Sequence, residues 1–236
     1  MANTFASKTI IVAGGTGALG RAVSEAFLRE GAAVVATYRN VAEFQSFAGA
    51  LSDPVRSRLE GEQVDVTDEA AVRRLVADAV QRHSHIDALV NAVGGYAGDV
   101  KLWEMEGAVL DRMLAVNLRP LHALARAVVP EFLKQGHGAI VNVAARTVLD
   151  PPAGGSAYAA SKAAALAMAH SLAAELAGTG IRVNSILPRI IDTPANRKAM
   201  PKANFAKWTT PEKIAAVILF LCSDAAAAVH GAALPV

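Results

Sequence analysis

The feature that most limits the fold of this chain is an alternation of two residue patterns. Short runs rich in valine, isoleucine and alanine occupy residues 9–12, 33–37, 62–66, 88–91, 139–143 and 182–187, and read as buried strands. Between them, residues 21–30, 69–83, 109–134 and 157–177 repeat apolar side chains at helical spacing. Strands that are apolar throughout, rather than on alternate positions, must be covered on both faces. Strand–helix–strand alternation supplies that cover by laying helices on both sides of a parallel sheet. The composition agrees: 53% of residues are hydrophobic but only 5% aromatic, so the core is built from small side chains that let helices pack closely. Thr67-Asp68-Glu69 is a helix start with a capping hydroxyl and acids in the first turn, and Pro211-Glu212 opens another. No linker, repeat or charge block divides residues 1–236, which predicts one domain. The least regular stretch, residues 189–210, follows the C-terminal end of a predicted strand. Ligands bind at that edge of such sheets, so this stretch is a candidate substrate lid.

The first strand runs directly into Gly14-Gly15-Thr16-Gly17-Ala18-Leu19-Gly20 and then a helix. Glycines at such a junction let the backbone turn sharply and approach a pyrophosphate, while the helix presents free N–H groups to its charge. A plain structural turn is the alternative. Taken with the alternation, the turn predicts a Rossmann-type, doubly wound parallel sheet. The second strand ends in Thr37-Tyr38-Arg39, with no carboxylate to take the ribose hydroxyls of NAD(H). Arg39 could instead grip a 2′-phosphate through its planar fork, which favours NADP(H), with NAD(H) the alternative. A solvated loop arginine is the bland reading. Asp65-Val66 either holds the adenine edge or serves only to cap the next helix.

Charge and cysteine content remove several classes of function. A net charge of +2, from 23 basic and 21 acidic residues, gives no electrostatic basis for binding nucleic acid or an anionic membrane. The lone Cys222 cannot form an internal disulfide, which fits a reducing cytoplasm. The first residues show no basic stretch followed by an apolar run, so no secretory signal is expected. The most apolar segment, residues 214–222, is too short to span a bilayer. The six histidines do not fall at metal-ligand spacing, and no metal is expected.

Tyr158 and Lys162 lie on a predicted helix at i and i+4, so they share a face. An ammonium beside a phenol favours the phenolate, which predicts a lowered Tyr158 pKa and a role in proton transfer. These pieces come in a fixed order: the glycine turn, Asp65-Val66, Asn91-Ala92-Val93-Gly94, Asn117, Tyr158-x-x-x-Lys162, Pro188, Ile191 and Thr193. In that order the chain resembles the short-chain dehydrogenase/reductase family over nearly its whole length. The resemblance implies that Tyr158 is the acid/base, that Lys162 binds the nicotinamide ribose and tunes the tyrosine, and that Asn117 holds a water of a proton relay. It implies cofactor contacts from Gly14, Thr16, Gly17, Ala18, Leu19, Gly20, Asn91, Ala92, Val93, Pro188, Ile191 and Thr193.

Three positions depart from the family pattern. Ala18 replaces a glycine, Arg189 replaces the glycine usual after the proline, and Ala145 replaces the serine thirteen residues before the tyrosine. The last loss removes a hydrogen-bond donor to the reacting oxygen, worth about 10²–10³ in rate, unless Thr147 or Ser156 substitutes. The turn, the Gly94-Gly95-Tyr96-Ala97-Gly98 loop and residues 192–201 are similar to the dihydropteridine reductase type, which also lacks that serine and reduces a quinonoid dihydropterin. The expected activity is hydride transfer between a nicotinamide and a small carbonyl or conjugated imine-like substrate. The rivals are a quinonoid dihydropteridine reductase and a non-catalytic NAD(P)-binding regulator or scaffold. Finally, the predicted helix 157–177 is apolar nearly all round and needs cover on more than one side, which predicts a homodimer or homotetramer.

Overall fold

A computed structural model describes residues 4–236. The first three residues, on which part of the reading of the chain's start rests, lie outside the described residues. Among the described residues seven strands, β1 (Thr9–Ala13), β2 (Ala33–Tyr38), β3 (Leu59–Gln63), β4 (Ala88–Asn91), β5 (Gly138–Val143), β6 (Ile181–Leu187) and β7 (Ala233–Pro235), form one sheet in the order β3-β2-β1-β4-β5-β6-β7. Every neighbouring pair is parallel. The helices are α1 (Ala18–Arg29), α2 (Val41–Gly49), α3 (Asp53–Arg56), α4 (Glu69–His83), α5 (Gly107–Asn117), α6 (Arg119–Gln135), α7 (Ser156–Glu175), α8 (Pro194–Ala199) and α9 (Pro211–Cys222).

Two cores sandwich the sheet. On one face, side chains of α4, α6 and α7 close over Ile11, Leu89 and Ile140; on the other, α1 and α9 close over Ile10, Val12 and Ile186. Adjacent strand residues therefore face opposite cores, and both are fully buried, as the unbroken apolar runs demand. Each such aliphatic side chain contributes about 1.5–3 kcal/mol on burial. The Rossmann-type doubly wound sheet is as the sequence indicates. The strand order reverses direction between β1 and β4, and this reversal opens a crevice at the C-terminal ends of those strands.

Three local expectations differ from the structure. The third strand is Leu59–Gln63, not 62–66. Its sequence, Leu-Glu-Gly-Glu-Gln, is only half-buried because β3 is the sheet's edge; Val64 N makes a last bond to the Tyr38 carbonyl at 3.0 Å just past the strand, and Val66 lies beyond it. Val66 is still buried, which is why it resembled strand. The helix expected over 109–134 is two helices, broken at Leu118, with Pro120 in the first turn of α6 where its missing N–H costs nothing. Helices α2 and α3 were not foreseen, nor was α8 inside the stretch 189–210. Asn40 starts α2 by accepting from the N–H groups of Ala42 and Glu43.

Candidate active site

The crevice is built first by the glycine turn. Thr37, near the end of β2, bolts the turn in place: its hydroxyl accepts from Gly14 N at 3.0 Å and its carbonyl accepts from Gly15 N at 2.9 Å. Gly14 has φ +76°, a conformation L side chains rarely adopt. At Gly20 a Cβ would come within 2.0 Å of the Gly14 carbonyl oxygen, so α1 can pack against the turn only through glycine. Ala18, by contrast, is the exposed first residue of α1, where a methyl meets no obstacle. No side chain caps α1, whose first N–H groups are left for another acceptor. Turn, close approach and uncapped helix together fit the pyrophosphate of a dinucleotide.

A cleft of about 300 Å³ continues from the turn, lined among others by Thr16, Arg39, Glu43, Asp65, Val66 and Val93. Arg39 is exposed on its wall, and its carbonyl accepts from Gln63 Nε2 at 3.0 Å. Asp65 accepts from the backbone N–H and hydroxyl of Thr67 at 2.9 and 2.8 Å. Those bonds, the backbone one foremost, and the charge of Arg39 hold its carboxyl below the usual range. Asp65 is not the helix cap; Asp68 caps α4 by accepting from Ala70 N and Ala71 N. Asn91 donates to Asn142 Oδ1 at 2.9 Å and accepts from Val93 N at 3.3 Å. Ala92 N donates to Ala13 O, so the segment after β4 is laced to the glycine turn.

Beyond the cleft lie Tyr158 and Lys162, one turn apart on α7. Lys162 is 4% exposed and donates from Nζ to the Val143 carbonyl at 2.8 Å. Burial lowers its ammonium pKa to about 8. Burial also pushes Tyr158 up to about 12, with Tyr96 adding to the rise. The lowered phenol expected from the neighbouring ammonium is therefore not produced by the chain alone: desolvation outweighs it. The Tyr96 ring meets Tyr158 edge-on, centroids 5.0 Å apart. Asn117, at the end of α5, is buried; its Oδ1 accepts from Gly95 N at 2.9 Å. Its Nδ2 lies 3.0 Å from both Gly95 O and Ser161 Oγ. Ser161 in turn donates to the Tyr158 carbonyl at 2.8 Å. Asn117 thus ties the 92–98 loop to the tyrosine's helix, and its side chain is engaged in that task.

Ala145 is 4% exposed, and no donor replaces the missing serine at that position. Thr147 Oγ1 and Ser156 Oγ are both buried without a hydrogen-bond partner. Pro188 O accepts from Arg146 N at 2.8 Å, which holds the end of β6 beside the turn after β5. Thr193 is 8% exposed and caps α8 through its hydroxyl. Ile191 pairs with Thr209, which closes the 189–210 segment at its neck. Within that segment the Arg197 guanidinium stacks over Phe205, and Phe205 on Trp208, so it has ordered packing of its own.

Two residues of the site, Ser161 and Glu43, were missed in the sequence, and the room that Gly94 leaves was not read from its motif. Gly94 leaves room for Lys162: a Cβ there would lie 2.9 Å from Nζ. Ser161 was passed over although it sits one turn from Tyr158. Glu43 was missed because α2 was missed, although Asn40-x-x-Glu43 is a recognisable helix start. Among the described residues no three His, Cys, Asp or Glu side chains gather as metal ligands, and no helix is long and apolar enough to cross a membrane.

A doubly wound sheet with a glycine-bounded crevice at its switch point, and a buried lysine one turn from a tyrosine beside it, defines a nucleotide-binding fold of the dehydrogenase kind. Residues 8–204 match the short chain dehydrogenase family model, and the chain belongs to the short-chain dehydrogenase/reductase family. It is 33% identical to the 3-oxoacyl-[acyl-carrier-protein] reductase FabG of Thermotoga maritima, over 95% of this chain and 94% of that one. It is equally 33% identical to the 2,5-dichloro-2,5-cyclohexadiene-1,4-diol dehydrogenase LinX of Sphingobium indicum, over 100% of this chain and 97% of that one. Among solved structures, a short-chain dehydrogenase/reductase from Burkholderia xenovorans superposes with a TM-score of 0.89 at 32% identity, covering 100% of this chain and 96% of the other. The chain is an oxidoreductase of a family that binds nicotinamide cofactors.

Proposed function

We propose that the protein reduces a small carbonyl or conjugated imine-like substrate, with NADP(H) favoured and Tyr158 as the proton donor. The observation that carries this reading is the Tyr158–Lys162 arrangement beside the cleft. A nicotinamide cofactor supplies the hydride. Gly14, Thr16, Gly17, Ala18, Leu19 and Gly20 would hold its pyrophosphate end, and Arg39, Asp65 and Val66 its adenosine end. Asn91, Ala92, Val93, Pro188, Ile191 and Thr193 would flank the nicotinamide end.

At neutral pH a phenol with a pKa of about 12 is fully protonated, which suits a group that must give up a proton rather than take one. Lys162, fixed by Val143, places its positive charge on the same helical face and stabilises the phenolate that Tyr158 becomes after donation. Asn117 positions both by joining Gly95 to Ser161. The 189–210 segment would serve as the lid. Thr147 is the better substitute for the missing serine. Its hydroxyl is buried and free, whereas Ser156 is two residues from Tyr158 on one helix and points to a different side.

A second reading, quinonoid dihydropterin as substrate, is favoured by Ala145. A conjugated ring spreads incoming charge and depends less on a second donor than a ketone does. The test is Tyr158→Phe, assayed beside Ala145→Ser on ketones and on quinonoid dihydropterin with both cofactors. Tyr158→Phe is expected to cut turnover by about 10²-fold or more while dinucleotide affinity holds. Near-wild-type turnover would overturn the mechanism and favour a non-catalytic nucleotide binder. Ala145→Ser is expected to raise ketone turnover more than pterin turnover; equal effects would remove the argument for a conjugated substrate.

A further inference from the structure

The adenosine end of the cleft contains a carboxylate that the sequence placed nowhere near it. Glu43 is in the first turn of α2, and Asn40 orients that turn by accepting from the N–H groups of Ala42 and Glu43 at 2.9 and 3.4 Å. A glutamate at this position often reaches back to the cap residue. Glu43 reaches forward instead, and accepts from the Thr16 hydroxyl of the glycine turn at 3.3 Å. The turn that carries it is pinned from two sides. Arg21 on α1 donates to the Glu43 backbone carbonyl at 2.9 Å and not to its carboxylate, and Phe44 stacks on Tyr38 with centroids 4.7 Å apart. The carboxylate is therefore held in the cleft wall by its backbone and by Thr16, and among the described residues it forms no salt bridge.

Charge in this cleft is unevenly divided. Of the described side chains lining it, Arg39 is the one cation, while Glu43 and Asp65 are both acidic. Arg39, Glu43 and Asp65 line one cleft, and exposed charges are screened only over about 8 Å at physiological ionic strength. Every charge on its wall therefore acts on whatever is bound inside. A 2′-phosphate brings up to two further negative charges into a space where Arg39 attracts it and two carboxylates repel it. A free ribose diol brings none, and offers hydroxyl donors to a carboxylate with lone pairs to spare.

We infer that Glu43 is a cofactor-selectivity residue that opposes Arg39, disfavouring a 2′-phosphate and accepting a ribose hydroxyl. The inference rests on reading the cleft as a nicotinamide dinucleotide site. The Thr16–Glu43 contact makes this work at a distance from the strand end where such an acid usually stands: the carboxylate comes from the next helix instead. Removing its charge while keeping its shape should release the restraint on the phosphorylated dinucleotide alone.

The test is titration of NADH and NADPH into wild-type protein, Glu43→Gln and Arg39→Ala, followed by tryptophan or nucleotide fluorescence. Glu43 is exposed and glutamine keeps the helix turn, so the variant is expected to unfold at the wild-type temperature. Glu43→Gln should tighten NADPH about tenfold, with NADH changed by no more than about twofold, consistent with one unit charge removed near a dianion. The gain should largely vanish in about 1 M salt, where the screening length falls to about 3 Å. A Glu43→Gln protein whose NADPH-to-NADH affinity ratio stays within about twofold of wild type, at low salt, overturns the inference. Arg39→Ala reports separately on the preference for NADP(H): if it leaves NADPH binding unchanged while Glu43→Gln tightens it, the reading of Arg39 fails and that of Glu43 stands. If wild-type protein binds neither dinucleotide, both fall.

Discussion

At the scale of single residues, Lys162 shows how the site and the fold pull in opposite directions. Its pKa is lowered by burial from 10.5 to about 8. Folding therefore carries a penalty for the charged form. That penalty is fully present below about pH 8 and fades as pH rises toward the unfolded value, because there the unfolded chain binds a proton that the folded chain does not. A shift of this size corresponds to about 3 kcal/mol, offset in part by the charged bond to the Val143 carbonyl, about 1.5 kcal/mol at the low end for an ionic donor. Lys162→Met, similar in length and uncharged, should therefore raise Tm at pH 7 by roughly 4 °C and abolish turnover. By pH 10 the stabilisation should have shrunk below half. Calorimetry across that range checks it, and a variant less stable than wild type at pH 7 would mean the bond to Val143 outweighs the buried charge. A stability cost kept in place at one buried cation is what a functional group, rather than a structural one, looks like.

At the scale of elements, the glycine turn is the piece with least freedom. The Gly20 Cβ position lies 2.0 Å from Gly14 O, so Gly20→Ala must push α1 off the turn or distort the turn itself. The expected result is dinucleotide binding weakened by more than about tenfold, with a loss of roughly 1–3 kcal/mol in stability, the usual range for overpacking. Titration calorimetry and thermal unfolding check both, and Ala18→Gly, at the exposed neighbouring position, should leave them nearly unchanged. This turn was legible in the sequence because glycine spacing reports directly on backbone geometry. So were β1, β2, β4, β5 and β6, whose two-sided burial leaves an unbroken apolar signature. β3 was displaced because an edge strand needs no such signature, and Val64 and Val66 beyond it do carry one. The break at Leu118 was invisible because apolar periodicity continues across it from α5 to α6. Tyr158, Lys162 and Asn117 could be found by order and spacing. The Asn117–Ser161 link could not, since it joins residues 44 apart in sequence.

At the scale of the whole molecule, α7 raises the question of what lies outside it. Its inner face, with Ala157, Ser161, Lys162, Ala165, Ala169 and Ala173, is buried against the sheet side. Its outer face exposes Ala160, Ala163, Ala167 and Ala174, side chains small enough to let another helix approach closely. We expect a homodimer or homotetramer at micromolar concentration by light scattering, and a 24.4 kDa species from Ala167→Arg, in which a long charged side chain replaces a methyl on that face. A wild-type monomer would show that this face is stable in water as it stands.

The reversal of strand order between β1 and β4 also divides labour along the chain. Arg39, Glu43 and Asp65 follow the strands on one side of the crevice, and Asn117, Tyr158 and Lys162 belong to the other. On the function proposed above, the choice of nucleotide would be set by residues before α4 and the chemical step by residues after it. Recombination near residue 67 could exchange one without rewriting the other. A lineage built on this plan can change its source of reducing power while keeping its substrate, or the reverse, by inheriting a single segment.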